Sequence, residues 1–205
     1  MRTRPILLVC LFLVVATSLA SAQSLEIAPF VGYRFGGSVR DTYTGETHTF
    51  GDSESTGVTV GFPLAGGPNY LELLYSHQST TVDVALASGA VRAPFSVDYW
   101  MLGGVRDFSD QGEKLRPFLG AYLGMTHFHT SYGYGGSDNR FSLAVGGGVK
   151  LDLSRHVGLR FDARAYLTFV STSGGMFCGS YGCGASFSGA GFVQGEGTGS
   201  LLVRF

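Results

Sequence analysis

Charge, cysteine and long hydrophobic runs are all scarce in this 205-residue chain, and each scarcity closes off a class of protein. Charged residues make up 14% of it and aromatics 13%, whereas a disordered chain needs more charge and fewer aromatics. There is no basic excess and no Lys/Arg cluster, so nothing points to a nucleic-acid partner. After the amino-terminal segment no apolar stretch is long enough for a membrane helix, and no segment keeps a 3.6-residue period. Glycine is abundant, with 32 residues, yet it lacks the strict three-residue period of collagen. Glycine and aromatics among short alternating runs indicate an all-β protein. If such a chain enters a membrane, it must do so as strands.

The amino end, MRTRPILLVCLFLVVATSLASAQS, has the parts of a secretory signal. Arg2 and Arg4 form a positive n-region, Ile6 to Ala16 an apolar h-region, and Ala20-Ser21-Ala22 a small-x-small cleavage pattern. The expected division is a signal peptide over 1–22 and one domain over 23–205. A transmembrane anchor is the rival reading, but the run is short and lacks a charged stop-transfer flank. Cys10 is expected to leave with the signal, because Val9 is too bulky for a lipoprotein cleavage position. Loss of Arg2 and Arg4 brings the 14 basic residues to 12 against 15 acidic ones, a net charge of −3 with histidine neutral.

Period-two reading of the mature chain gives eight candidate strands. The first, LEIAPFVGYRF, sets Leu25, Ile27, Val31, Tyr33 and Phe35 on one face, with Glu26, Ala28, Phe30, Gly32 and Arg34 on the other. The seventh, VGLRFDARAYLTF, alternates Val157, Leu159, Phe161, Ala163, Leu167 and Phe169 with Gly158, Arg160, Asp162, Arg164, Tyr166 and Thr168. The others fall near 55–64, 70–77, 95–107, 115–128, 140–153 and 189–205. Connections around 36–54, 78–94, 129–139 and 170–188 are long. Those around 65–69, 108–114 and 154–156 are short and carry turn residues. Long loops on one rim and tight turns on the other are the layout of an outer-membrane barrel.

Alternation alone does not say whether the apolar face meets a core or lipid. Glycine placement and charge favour lipid. Gly32, Gly57, Gly61, Gly104, Gly120, Gly124, Gly146, Gly148 and Gly158 are read in the polar register, where a narrow lumen needs small residues beside large ones. The same register is expected to hold a near-balanced charge network of Glu26, Arg34, Glu72, Asp98, Arg106, Arg116, Lys150, Asp152, Arg160, Asp162, Arg164, Glu196 and Arg204. An ordinary solvated surface of mixed charge is the competing account. Phe35, Tyr75, Phe95, Phe141 and Phe169 are expected at the lipid-facing long-loop rim, Phe62 and Phe205 at the other, and Trp100 in the lumen as filler.

These pieces resemble the OmpA/OmpX-type eight-stranded outer-membrane β-barrels of Gram-negative bacteria. The resemblance lies in the signal, APFVGYRFG, DYWMLGGVRDF, RPFLGAYLGM, GGGVKLDL, GLRFDARAY and the terminal GSLLVRF, with PFVG at 29–32 echoed by PFLG at 117–120. It implies an all-β fold, an eight-stranded antiparallel up-and-down transmembrane β-barrel in the outer membrane. It also implies that Leu201, Val203 and Phe205 form the signal read by the outer-membrane assembly machinery. The peptidoglycan-binding domain of longer relatives is not expected after Phe205.

Candidate chemistry is sparse. Cys178 and Cys183 in FCGSYGC sit in the last long loop; a disulfide is expected in an oxidising compartment, with a metal site as the rival. In YSHQS, His77 and Ser79 share the apolar face. Outer-membrane lipid A deacylases use such a pair, but they complete it with an acid, and none is expected on this face. His127 and His129 in THFHT are read as the polar rim of the fifth strand rather than as metal ligands. The expected function is a non-enzymatic, plugged barrel with no catalytic site, cofactor or metal, which displays surface loops for envelope structure, adhesion or interaction. Its expected partners are outer-membrane lipid, the assembly machinery and an extracellular molecule. A small porin-like channel and a lipid A-modifying enzyme are the alternatives.

Overall fold

A computed structural model describes residues 25–205 except 41–46, 50, 65–66, 87–88, 110–112, 131–135, 170–175, 180–181 and 186–190. Along 39–40, 47–49, 82–86, 89–93, 130, 176–179 and 182–185 it describes the backbone alone. The expected signal at 1–22 lies outside the described residues.

A strand that crosses hydrocarbon must pair on both edges, because lipid offers its backbone nothing to bond. This chain meets that demand by closure. Its long strands are β1 (Glu26–Gly36), β4 (Ser53–Pro63), β5 (Asn69–Leu86), β6 (Gly89–Asp107), β7 (Leu115–Thr130), β8 (Gly136–Asp152), β9 (Val157–Thr168) and β12 (Phe192–Arg204). They form one closed antiparallel barrel in which each strand pairs with its barrel neighbours, β1 with both β4 and β12. The seam is in register from Glu26↔Arg204 to Gly36↔Gln194. Two small hairpins, β2 (Ser38–Arg40) with β3 (Thr47–Thr49) and β10 (Met176–Gly179) with β11 (Gly182–Ala185), stand in the long connections. At the opposite rim the turns are tight: Ser154 Oγ accepts the Val157 amide at 3.0 Å, and Leu64 N donates to Asn69 O at 2.8 Å. There is no helix among the described residues.

The expected long connection at 78–94 takes a different form. β5 and β6 stay paired from Asn69↔Arg106 out to Leu86↔Gly89, so the hairpin continues past the barrel wall. The sequence STTVDVAL is rich in residues that favour strands, and nothing in it stops the ladder.

Burial settles which face is inside. Val31 is 68% exposed, Val145 62%, Leu119 61% and Leu123 56%, whereas Arg34 and Lys150 are 0% and Glu196 1% exposed. A water-soluble barrel distributes its residues the other way round. The outer wall is therefore a lipid surface and the polar register is the lumen.

One strand departs from the sequence reading. On β6 the inward residues are Phe95, Val97, Tyr99, Met101, Gly103, Val105 and Asp107, so Asp98, Trp100, Gly104 and Arg106 face outward. Pairing with β5 fixes this parity: Glu72, which is inward, lies opposite Gly103, and Leu73, which is outward, lies opposite Leu102. Trp100 consequently joins the lipid-facing aromatics at 58% exposure, and Phe95, at 8%, leaves them for the lumen. Gly103 is needed where it sits, because a side chain there would collide with the Tyr122 ring. At the loop end of the wall, β1 turns out through Gly36 and Gly37 at φ of 78° and 101°, angles that suit glycine.

Candidate functional site

The lumen is filled in layers. Nearest the turn rim, Glu26 accepts Lys150 at 2.8 Å, Arg204 at 2.8 Å and Arg116 at 3.1 Å. Asp107, which the sequence reading left out of the network, accepts Arg116 at 3.0 Å and Lys150 at 3.2 Å, and Asp152 holds Arg204 at 2.5 Å. The Lys150 ammonium also stands 4.2 Å from the centre of the Tyr70 ring.

The middle layer joins Glu72 to Arg160 at 2.5 Å, Arg160 to Asp162 at 2.8 Å and Arg164 to the same carboxylate at 2.9 Å. Tyr122 donates to Glu72 at 2.8 Å. Above it Glu196 gathers Arg34 at 2.9 Å, Arg164 at 3.3 Å, Tyr166 at 2.6 Å and Ser76 at 2.7 Å. Tyr99 stacks on Tyr166 at 4.1 Å and lies beneath the Arg34 guanidinium. The uppermost layers are the hydroxyls of Thr126, Ser142 and Thr168 and the amides of Gln78 and Gln194, and then Phe95, Phe128 and Phe192. Eleven of the expected lumen charges are thus inside, and Asp98 and Arg106 are not. With Asp107 added, six acids face six bases.

The outer wall across β5, β6, β7 and β8 is ordered by depth. One cross-strand row is Leu73, Leu102, Leu123 and Leu143. The next row towards the loops is Tyr75, Trp100, Met125 and Phe141, with Tyr75 against Trp100 at 4.4 Å and Phe141 against Phe169 at 5.9 Å. The row after that is His77, Asp98, His127 and Asn139, followed by Ser79, Ser96, His129 and Ser137. Leucine, then aromatic, then polar is the order of hydrocarbon, interface and water.

Within the polar rows, three side chains form a relay. His77 Nδ1 lies 2.7 Å from Asp98 Oδ1, and His77 Nε2 lies 3.0 Å from Ser79 Oγ. In the neutral imidazole, donation from Nδ1 to the Asp98 carboxylate leaves Nε2 to accept from the Ser79 hydroxyl. Tyr75 donates to the same Asp98 oxygen at 3.0 Å. The expectation that no acid shares the face of His77 is therefore corrected by the parity of β6. His127 Nδ1 meets Asn139 Oδ1 at 2.7 Å, and no cluster of three metal-ligating side chains occurs among the described residues.

Leu201, Val203 and Phe205 take the outward register of β12, and Phe205 N bonds Leu25 O across the seam at 3.1 Å. Cys178 and Cys183 are backbone partners on β10 and β11; their side chains lie outside those described.

A closed eight-stranded barrel with an apolar wall and an ion-paired lumen defines the class: the fold of the small outer-membrane barrels. Solved structures agree on the fold. Neisserial surface protein A is similar at a TM-score of 0.59 and 15% identity over 89% of this chain and 97% of that one. OprG of Pseudomonas aeruginosa is similar at 0.58 and 12%, over 90% and 96%. The N-terminal β-barrel domain of OprF from the same species is similar at 0.51 and 15%, over 89% and 97%. No protein-family model matches the sequence, and no curated protein sequence matches it.

Proposed function

We propose that the protein is a non-conducting outer-membrane barrel whose work is done on its outward surfaces, the lipid-facing wall and the hairpins at the long-connection end. The observation that carries this reading is the filled lumen. Its middle and upper ion-paired layers are tied to one another through Arg164, which holds both Asp162 and Glu196, and the lumen is capped by Phe95, Phe128 and Phe192, which are at most 8% exposed. A barrel of eight strands is narrow enough for side chains to fill it, and this one uses charge pairs that each need their partner.

The leader expected at 1–22 supports delivery to the envelope, and the apolar outer wall supports residence in its outer membrane. The β5–β6 hairpin extends the wall beyond the barrel and offers a partner a stiff, paired surface rather than a loose loop. In an oxidising compartment a bond between Cys178 and Cys183, opposite one another on β10 and β11, would staple a second such hairpin.

The test is reconstitution of the refolded protein into planar bilayers. Flat current traces are expected across the range of applied voltage. Reproducible single-channel steps would overturn the reading in favour of a small channel.

A further inference from the structure

The lumen reading leaves unused the only relay of Asp, His and Ser among the described residues, and that relay faces the membrane. We propose that Ser79, His77 and Asp98 act as nucleophile, general base and orienting acid in the hydrolysis of fatty-acyl esters of membrane lipid. This goes beyond the non-conducting reading and stands independently of it.

Geometry carries the chemistry. A serine hydroxyl is a weak nucleophile until a base takes its proton, and an imidazole serves only when its other nitrogen is held as a donor. The distances of 3.0 Å and 2.7 Å satisfy both conditions in sequence. Tyr75, through its bond to Asp98, is a positioning residue that holds the carboxylate towards His77. The Ser53 hydroxyl donates to the Ser79 carbonyl at 2.8 Å and fixes the strand at the nucleophile.

Depth carries the substrate class. Tyr75 and Trp100 sit one row below His77 and Asp98, and such aromatics collect at the headgroup level. Ser79 is two residues beyond His77 and four beyond Tyr75 along β5, about 14 Å from Tyr75 by strand rise. Lipid esters lie at the boundary between chains and headgroups, so the relay stands on the headgroup side of them, and an acyl ester reaches Ser79 by rising past the aromatic row. The exposed Leu73 and Leu102 below offer its chain an apolar track.

In the step itself, Ser79 Oγ bonds to the acyl carbon as its proton passes to His77 Nε2. The tetrahedral intermediate then expels the lipid alcohol, which takes that proton. Water, deprotonated by His77, attacks the acyl-serine; the released fatty acid and free Ser79 complete the cycle.

The test uses the full-length mature protein refolded into two kinds of vesicle, one of phospholipid and one containing lipopolysaccharide, with released fatty acid measured by mass spectrometry. Release is expected in at least one arm, and the arm identifies the lipid. Ser79→Ala and His77→Ala should lower it by roughly a thousandfold or more, to background. Ser96→Ala, opposite Ser79, should leave it unchanged. A fluorophosphonate probe should label the wild type at Ser79 and miss His77→Ala. All variants should keep the heat-modifiable gel mobility of a folded barrel, because these side chains lie outside the lumen. No release in either arm, or equal release by Ser79→Ala, overturns the proposal and leaves the conductance result untouched.

Discussion

Glu196 is the point where the lumen is most exposed to a single change. Its Oε1 accepts Arg34 and Ser76, and its Oε2 accepts Tyr166 and Arg164. In the middle and upper layers Glu72, Asp162 and Glu196 balance Arg34, Arg160 and Arg164. Glu196→Gln keeps the volume, removes one negative charge and leaves Arg34, 0% exposed, without a carboxylate. Removing one partner of a buried pair costs about 3–5 kcal/mol. That is roughly a hundredfold to a few thousandfold in the unfolding equilibrium. The assay is a urea titration of the barrel in lipid vesicles, with folded protein read from gel mobility without boiling. The double variant Arg34→Met with Glu196→Leu should lose less than the sum of its singles, by about 0.5–3 kcal/mol of coupling. A Glu196→Gln barrel within about 1 kcal/mol of wild type would refute the reasoning, because only charges already solvated by lumen water forgive the loss of a partner so cheaply.

Leu123→Arg, at mid-height on the outer wall, should destabilise the vesicle-embedded barrel by about 2–4 kcal/mol; a near-neutral effect would mean that this wall meets water. Trp100 is the single tryptophan, so its fluorescence reports one site, and lipids brominated near the headgroup should quench it strongly. Absence of quenching would return Trp100 to the lumen and undo the parity of β6. Gly103→Val should prevent folding, read as loss of heat-modifiable mobility, because its side chain would meet both the Tyr122 ring and the Ala121 carbonyl oxygen; a normally folded variant would place Gly103 away from β7.

The architecture was legible because β1, β9 and β12 each carry charge on one face and apolar residues on the other. In VGLRFDARAYLT every second residue from Gly158 is buried, as the alternation predicts. In PFSVDYWMLGGVRD both registers are largely apolar, and the rule that charge faces the lumen selects the wrong one. The interior there is filled by Tyr99 stacked on Tyr166 and by Phe95 against Phe128, contacts between strands distant in sequence that no local pattern contains. That charge rule places Asp98 in the lumen and hides the acid that completes the His77–Ser79 pair. The signal that could have found it was Trp100: an indole two residues before Leu102 marks an interface, and its parity carries Asp98 outward with it.

The seam pairs the first barrel strand with the last, and two ion pairs span it: Glu26 with Arg204, 178 residues apart, and Arg34 with Glu196, 162 apart. An open sheet inserted in hydrocarbon would leave Glu26 and Arg34 at its β1 edge without these partners. The closing step is thus a latch. Nothing along the way rewards a partly shut ring, so insertion and closure should proceed together in one cooperative event, and a barrel pried open at this seam should come apart rather than breathe.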